Sequence, residues 1–268
     1  MDYINAILLG IIEGITEFLP ISSTGHLLIA EQWLGDRSDT FNVVIQAGAI
    51  LAVTFIYWQR ILSLLLGFRD PENRDYLLKL IVAFLITAVL GLIVTKMGFK
   101  LPESVVPIAW ALIIGGIWMI VAEQIAARRP ASSKVTWPVA IIVGLAQIVA
   151  GVFPGTSRSG ATIFAAMLFG TGNRAAATEF AFLVGIPTMY AASGYELLKS
   201  IKAAKLENAP PENWTLLGIA FVVSMIVAFV SVKWLLGYIR SNRFTAFAIY
   251  RIILGVALFG MLGLGWVK

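Results

Sequence analysis

Six long apolar runs alternate with short polar segments along the chain. Each run approaches or exceeds the ~20 residues that an α-helix needs to cross a bilayer. The pattern therefore predicts an all-α polytopic membrane protein with six transmembrane helices. The runs lie near residues 43–66, 77–95, 104–122, 175–198, 215–236 and 244–266.

Two further apolar stretches are broken by polar sequence, EGITEFLPISSTGH at 13–26 and FPGTSRSGAT at 153–162. The pieces beside each break are too short to span. Residues 4–19 make a helix of about 24 Å at ~1.5 Å per residue, whereas the hydrocarbon core is about 30 Å thick. Non-helical backbone at that depth is tolerated only where protein or a wet cavity surrounds it. We therefore predict two re-entrant helical hairpins, one at each break.

A shift of 134 positions, half the chain, superposes the two breaks. Three spanning helices follow each hairpin, and an odd number of crossings turns the second copy over relative to the first. We predict an inverted-topology repeat in a single integral membrane domain, 1–268, with repeat 1 at about 4–126 and repeat 2 at about 137–267. The shift pairs small and polar positions: Gly10 with Gly144, Glu13 with Gln147, Pro20 with Pro154, Ser22 with Thr156 and Ser23 with Ser157.

Composition supports a membrane protein. The chain is 59% hydrophobic and 13% charged, against roughly 25% charged for a soluble domain. It has no cysteine, which excludes a disulfide framework and a thiolate site. The net charge of +5 is spread over short loops, which favours a topology signal over nucleic-acid binding. With both termini outside, eleven Lys and Arg residues lie on the inner side and seven on the outer.

Glu13 and Glu17 lie four residues apart, on one face of the first half-helix. A carboxylate at bilayer depth costs about 2.5–3.5 kcal/mol on insertion scales, and two on one face also repel each other. A divalent cation offsets both penalties. With no cysteine and one histidine, its ligands would be oxygens, which suits Mg²⁺ or Ca²⁺. The alternative is a protonated or hydrated pair that lines a cavity without metal.

Ser22, Ser23 and Thr24 fall where the second half-helix should begin. Helix N-termini attract anions, and N-capping accounts for one of these hydroxyls but not for three. His26, the single histidine, is three residues from Ser23. Such a pair can supply a nucleophile with a base, or a nucleophilic imidazole with hydroxyl support. A structural hydrogen-bonding role for His26 is the alternative.

The segment PGTSRSGAT has the features of an anion cradle. Its glycines let the backbone approach a ligand closely, and Arg158 supplies a planar fork that suits phosphate oxygens. The alternative is an ion pair of Arg158 with Glu13 or Glu17 across the repeat interface, and the two interpretations are compatible. The hydroxyls expected at the start of this half-helix are those of Thr156, Ser157, Ser159 and Thr162.

Carboxylates, hydroxyls, one histidine and one arginine at membrane depth indicate a site for a phosphate or diphosphate whose remainder is lipid. The chemistry that fits is phosphoryl transfer or hydrolysis on a lipid-linked substrate. The alternative is a secondary transporter or flippase of a lipid-linked or anionic substrate, because inverted repeats with broken helices are a transporter architecture.

The two polar breaks closely resemble the signatures of the undecaprenyl-diphosphate phosphatase family, also known for bacitracin resistance. FNVVIQAGAILAV at 41–53, EFAFLVGIP at 179–187 and FAIYR at 247–251 resemble further family segments in the family's order. The resemblance runs from about residue 6 to 260. It implies hydrolysis of undecaprenyl diphosphate to undecaprenyl phosphate and inorganic phosphate, which recycles the carrier lipid of cell-wall synthesis and confers bacitracin resistance.

The resemblance also implies roles for individual residues. Glu13 and Glu17 match the acidic pair of a family that requires a divalent cation, and Ser23 and His26 match the catalytic serine and histidine. We favour Ser23 as the nucleophile, activated by Glu17 or His26, over direct attack by His26 and over a metal-activated water. The phosphate-handling residues of the second signature are matched by Ser157, Arg158 and Thr162.

The resemblance implies a location and partners as well. It places the protein in the bacterial plasma (inner) membrane, with the active site toward the periplasmic or outer face. The expected partners are membrane lipids and a polyprenyl diphosphate substrate, and bacitracin competes indirectly by binding that substrate. A homodimer is left open, and no nucleic-acid partner is expected.

Overall fold

The computed structural model describes residues 2–98, 104–130, 132–170, 172–206 and 212–267, with the backbone alone for 203–206. The regular structure of these residues is entirely α-helical and comprises eleven helices. The helices are α1 Asp2–Thr16, α2 Ser23–Leu34, α3 Asp39–Ile56, α4 Trp58–Leu66, α5 Pro71–Lys96, α6 Val105–Ala126, α7 Trp137–Val152, α8 Arg158–Phe169, α9 Arg174–Leu206, α10 Trp214–Ser241 and α11 Thr245–Gly263.

Within the described ranges, six helices are long and apolar enough to cross a membrane: α3, α5, α6, α9, α10 and α11. The prediction of an all-α chain with six transmembrane helices is confirmed. The first apolar run differs from its prediction, because 43–66 is not one helix. It divides at Tyr57 into α3 and the nine-residue α4. Lys100 and Lys268, two of the seven basic residues assigned to the outer side, lie outside the described residues.

The two polar breaks each separate a pair of short helices. Helices α1 and α2 have 15 and 12 residues, and α7 and α8 have 16 and 12. At ~1.5 Å per residue the longest is about 24 Å, which is shorter than a hydrocarbon core of about 30 Å. These lengths are consistent with the predicted re-entrant hairpins.

Glycines let each hairpin pack closely against a helix of the other half of the chain. A Cβ placed on Gly10 of α1 would lie 2.7 Å from the carbonyl oxygen of Ala220 in α10. A Cβ placed on Gly144 of α7 would lie 2.8 Å from the carbonyl oxygen of Ala83 in α5. Contacts this short exclude any side chain at the two glycines. Helix α1 is thus held by α10, and α7 is held in the same way by α5.

Helices α6 and α11 form a third close contact, in which a glycine of each helix packs against the backbone of the other. A Cβ on Gly116 would lie 2.7 Å from the carbonyl oxygen of Ala248, and one on Gly255 would lie 2.8 Å from that of Ala109. Reciprocal contacts of this kind are those of two units related by a two-fold axis. The packing is therefore consistent with the predicted inverted repeat.

The hydrophobic core beside the two polar breaks is built from aromatic and aliphatic side chains. Phe18, which lies within the first break, packs edge-on against Phe182 of α9 with ring centroids 5.0 Å apart. Phe164 of α8 packs against Phe244 at 5.2 Å. All four rings are buried. This packing fixes both hairpins against the spanning helices and so sets the positions of the polar groups at their turns.

Candidate active site

The two hairpin turns have the same unusual backbone. Ser22 and Ser157 have φ values of 75° and 69°, and they are the non-glycine residues with positive φ in the described part of the chain. Each is the N-cap of the following helix, and its Oγ accepts a hydrogen bond from the backbone N–H of Gly25 or Gly160, at 3.2 Å in both cases. A left-handed serine is strained, and such strain clusters at functional sites.

These caps correct the alignment of the two halves. The shift of 134 positions paired Ser22 with Thr156 and Ser23 with Ser157. The structure instead makes Ser22 equivalent to Ser157, and Ser23 equivalent to Arg158, because the second turn has one additional residue between its proline and its cap. The serine that opens α2 is therefore matched by the arginine that opens α8.

Arg251 of α11 connects the two turns. Its guanidinium donates to the carbonyl oxygens of Pro20 in the first turn at 3.3 Å, and of Gly155 and Thr156 in the second at 2.9 Å each. A fourth bond, of 3.0 Å, goes to the carbonyl of Ala111 in α6. The side chain is 1% exposed. Arg251 therefore fixes both turns through their backbone.

Glu17 lies between the N-termini of α2 and α8. One carboxylate oxygen accepts a hydrogen bond from Ser23 Oγ, and the other forms an ion pair with Arg158. The expected pairing of Arg158 with an acidic residue across the repeat interface is confirmed for Glu17. A carboxylate bonded to a hydroxyl is placed to take its proton, so the arrangement can activate Ser23 as a nucleophile.

Glu13 lies one helical turn before Glu17 and interacts electrostatically with it. Its side chain is 0% exposed, and neither carboxylate oxygen has a hydrogen-bond partner among the described residues. The equivalent residue of the second half, Gln147, is neutral and donates to Thr87 Oγ1 at 2.8 Å. Because an unpaired buried carboxylate is costly, Glu13 has the character of a ligand residue.

The sequence predicted a divalent cation at Glu13 and Glu17. Among the described residues, no group of three or more His, Cys, Asp or Glu side chains is arranged to hold a metal ion. A cation would therefore take only two protein carboxylates. Mg²⁺ is commonly bound in this way, with waters and substrate phosphates as its other ligands. The unpartnered oxygens of Glu13 suit such an ion.

The His26 side chain is not hydrogen-bonded to Ser23. Its Nδ1 lies 2.6 Å from the carbonyl oxygen of Ser22, and its Nε2 lies 2.7 Å from the hydroxyl of Tyr250, whose ring is stacked on the imidazole. A carbonyl only accepts, so Nδ1 carries the proton and Nε2 of the neutral ring accepts from the phenol. The expected pairing of Ser23 with His26 is not formed, because both ring nitrogens bond elsewhere.

Other predicted hydroxyls brace the second turn. Ser157 Oγ and Ser159 Oγ are 3.1 Å apart, and Ser159 Oγ donates to the carbonyl of Leu19 in the first turn at 3.0 Å. These bonds join the two turns a second time. The hydroxyls that we expected to bind phosphate thus also hold the two turns together.

The remaining predicted residues lie at the edge of the site. Thr162 Oγ1 donates to the carbonyl of Arg158 at 2.8 Å within its own helix, so its proton is not directed at a ligand. Thr24 and Thr156 are half-buried beside the two caps. Thr156 also lies at the edge of an apolar cavity of about 910 Å³ between α6, α7 and α8.

Comparison with known proteins identifies the group to which this architecture belongs. The family model described as "Bacitracin resistance protein BacA" matches residues 6–257.

The chain belongs to the BacA family.

Relatives in the BacA family match over nearly their whole length. The undecaprenyl-diphosphatase of Rhizobium etli is 76% identical over 267 residues, which cover 100% of both chains. The undecaprenyl-diphosphatase of Xanthomonas euvesicatoria pv. vesicatoria is 63% identical over 257 residues, 96% of each chain. The family resemblance drawn from the two polar breaks is thereby confirmed.

Sequence reasoning missed two residues of this BacA-family site. It did not single out Tyr250, and it did not connect Arg251 to the two turns. Both lie in FAIYR at 247–251, a segment that carried the family resemblance without a chemical interpretation. A tyrosine followed by an arginine inside an apolar helix was the available signal, because an ionisable group there needs a partner.

Proposed function

We propose that this protein hydrolyses undecaprenyl diphosphate to undecaprenyl phosphate and inorganic phosphate. The observation that carries the proposal is the contact of Glu17 with both Ser23 and Arg158, at the meeting point of two helix N-termini. The relatives named undecaprenyl-diphosphatase, 63–76% identical over nearly the full chain, support it. The product would return to cell-wall synthesis as carrier lipid, and rapid recycling would confer bacitracin resistance.

In the mechanism we propose, Ser23 Oγ attacks the terminal phosphorus as its proton passes to Glu17. The bond from that phosphorus to the bridging oxygen breaks, and the lipid monophosphate leaves with the electron pair. Glu17 releases that proton to the departing monophosphate and is again a carboxylate. Water then attacks the phosphoserine and gives a proton to Glu17, which passes it to Ser23 Oγ as inorganic phosphate departs. The Arg158 fork and the N-termini of α2 and α8 would stabilise the phosphate oxygens.

Two alternatives for the nucleophile are less well supported. Direct attack by His26 needs a free ring nitrogen, and both nitrogens are engaged, by Ser22 and Tyr250. A water nucleophile leaves the bond between Ser23 and Glu17 without a role. Brief reaction with radiolabelled substrate, followed by a neutral detergent quench and peptide mapping at neutral pH, separates the three: phosphate on Ser23, on His26, or on neither.

A divalent cation, Mg²⁺ or Ca²⁺, is part of the proposal. Glu13 and Glu17 would hold it, and when bound it would neutralise charge on the diphosphate. On substrate entry Glu17 would release Arg158 and bind the cation, since the ion pair with Arg158 occupies one oxygen of Glu17 in this structure.

The test is phosphate release from undecaprenyl diphosphate by the purified protein in detergent. We expect metal-dependent release, and its loss in Ser23→Ala. Ser63→Ala is the matched control, because Ser63 is exposed and bonds only to the nearby carbonyl of Arg60. Movement of substrate across a vesicle bilayer without phosphate release would instead establish the transporter or flippase alternative, which the reciprocal packing of the two halves favours.

We further propose a plasma-membrane location with the site open to the periplasmic side. The excess of basic residues on the opposite side supports this orientation. The chain has no cysteine, so single variants Thr24→Cys and Thr156→Cys report on access. An impermeant maleimide should label both from outside the cell, and labelling only from the cytoplasm would reverse the orientation.

A further inference from the structure

The contact between α1 and α10 repeats the contact between α7 and α5 position by position. In each, a Cβ added to the glycine of the short helix would lie closest to a carbonyl oxygen of the long helix, at 2.7 and 2.8 Å. A side-chain Cβ of the long helix follows at 3.1 Å in both contacts. The two long helices can therefore be aligned residue by residue. The equivalent residues are Gly10 with Gly144, Ala220 with Ala83 and Val223 with Ile86.

This alignment makes Ser224 of α10 equivalent to Thr87 of α5, since each lies one helical turn after the carbonyl contact. Glu13 and Gln147 are equivalent in the same way, three residues after the glycines. Each contact thus places a hydroxyl residue of a spanning helix opposite a longer polar side chain of a hairpin. Serine and threonine at such an interface can bond across it.

In the contact of α5 with α7, the two polar side chains are hydrogen-bonded. Gln147 Nε2 donates to Thr87 Oγ1 at 2.8 Å, and the threonine hydroxyl lies 3.0 Å from the carbonyl oxygen of Gly144. An ionised glutamate has no proton to donate, so Glu13 cannot make the equivalent bond.

The equivalent groups in the contact of α1 with α10 have no partner. Glu13 and Ser224 are both 0% exposed. In the part of the chain that the structure describes, neither carboxylate oxygen of Glu13 and not the Oγ of Ser224 has a hydrogen-bond partner. Buried polar atoms without a partner are costly. The first hairpin therefore keeps three such oxygen atoms where the second hairpin has a hydrogen bond.

A divalent cation suits these three oxygen atoms. If Ser224 served only to bond Glu13, its O–H would donate to the carboxylate, and the structure leaves that bond unformed. Mg²⁺ and Ca²⁺ are bound through oxygen ligands, and a serine or threonine hydroxyl is a Mg²⁺ ligand in phosphate-binding loops. A neutral hydroxyl adds a ligand without adding charge, while Glu13 and Glu17 already carry the two negative charges that balance the ion.

We propose that Ser224 is a third protein ligand of the divalent cation, and that its hydroxyl oxygen joins the carboxylates of Glu13 and Glu17. The inference rests on the cation of the proposed function and adds a residue from a different helix to its site. The hydroxyl would take the place of one of the waters that complete such a site. The ion would then connect the first hairpin to α10.

The first test measures the binding of Mn²⁺ by the purified protein in detergent, without an affinity tag and without substrate. Free Mn²⁺ is quantified by electron paramagnetic resonance, and Glu13→Gln gives the level of binding outside the site. We expect Ser224→Ala to weaken the site at least about tenfold, the low end of the loss when a group that supports a metal site is removed. In the phosphatase assay, the cation concentration for half-maximal rate should rise by a similar factor, with a smaller change in kcat.

Thr87→Ala is the matched control, because it removes the equivalent hydroxyl from the other contact. It should lower the midpoint of thermal unfolding, since Gln147 loses its partner, but leave Mn²⁺ binding at the wild-type level. A serine needed only for the close packing of α1 against α10 would behave in the same way when replaced. The affinity for Mn²⁺ therefore separates a ligand from a packing residue.

A second test changes the ligating atom. The chain has no cysteine, so Ser224→Cys introduces a single thiol, and thiolate ligands select soft metals. We expect Cd²⁺ to displace Mn²⁺ from Ser224→Cys at a concentration at least about tenfold lower than from the wild type. The ultraviolet absorption of a cadmium–thiolate bond should accompany the displacement. Thr87→Cys should show neither change.

The outcomes separate this inference from the proposed function. If the wild-type protein binds no more Mn²⁺ than Glu13→Gln, the cation of the proposed function fails, and the assignment of Ser224 fails with it. If the wild type binds Mn²⁺ at the site, Ser224→Ala binds it as tightly and Ser224→Cys gains no preference for Cd²⁺, only the assignment of Ser224 is overturned. If Ser224→Ala does not fold, the cadmium measurement alone decides.

Discussion

Removing the Arg251 guanidinium should loosen both hairpin turns at once. Arg251→Met keeps the length of the side chain but eliminates four bonds to carbonyl oxygens, of 2.9–3.3 Å. A hydrogen bond to a charged group is worth about 1.5–3 kcal/mol. Four such values are not additive because the four bonds share one guanidinium group. We expect a net loss of about 3–5 kcal/mol, the usual cost of breaking a buried charged interaction.

The measurement is thermal unfolding of the purified protein in detergent, with phosphatase activity assayed at low temperature. At roughly 2–4 °C per kcal/mol for a chain of this size, Arg251→Met should lower the midpoint by about 6–20 °C. Arg251→Lys should fall between the variant and the wild type, because one ammonium cannot reach the carbonyls of both turns. Activity should drop in both variants, since the turns position Ser23 and Arg158.

The control is Arg243→Met, which removes an exposed arginine just before α11. Its effect on stability should stay within about 0.5 kcal/mol. A midpoint and activity for Arg251→Met equal to those of Arg243→Met would refute the role given to Arg251. In that case the two turns would be held by the serine hydroxyls and by helix packing alone.

Other predictions concern the reacting groups. Glu17→Gln should reduce the rate at least about 100-fold, and Glu13→Gln should weaken the dependence of the rate on the cation. Near-normal turnover and metal response in both variants would refute the proposed cation site. Arg158→Lys keeps the charge but loses the two-point phosphate contact, so activity should fall strongly; full activity would reduce the arginine to a point charge. Tyr250→Phe should leave His26 without its partner at Nε2. Because the chain has one histidine, ¹⁵N spectra of the untagged protein report on it directly, and an unchanged tautomer signal would contradict the assigned hydrogen bond.

Hydrophobic periodicity was sufficient to predict the six long helices, because bilayer thickness dictates the length of a spanning helix. It did not predict the division at Tyr57, since the apolar run continues through that residue without a proline or glycine. The two hairpins were predictable from polar residues and not from apolar ones. Charged and hydroxyl residues inside an apolar stretch leave few arrangements that satisfy the backbone.

The composition of the site was predictable, whereas its connections were not. Glu17 and Arg158 are 141 residues apart, and sequence spacing indicated only that the two breaks should meet. The local spacing of Ser23 and His26 favoured a contact between them, but tertiary structure turned the imidazole toward Tyr250. The sequence also did not predict the one-residue difference in length between the two turns. The shift of 134 positions aligns the prolines that precede the additional residue, but it does not align the serine caps that follow it.

The exchange of partners between the two halves has a consequence for biosynthesis. Helix α1 is made first, but the helix that holds it, α10, follows only after about two hundred further residues. At ~5–20 residues per second, the ribosome needs roughly 10–40 s to add them. The second hairpin emerges after its own partner, α5, is already inserted. The nascent chain must therefore keep α1, with Glu13 and Glu17, in the membrane without the helix that holds it until synthesis is almost complete, which makes the first hairpin the segment most dependent on the insertion machinery.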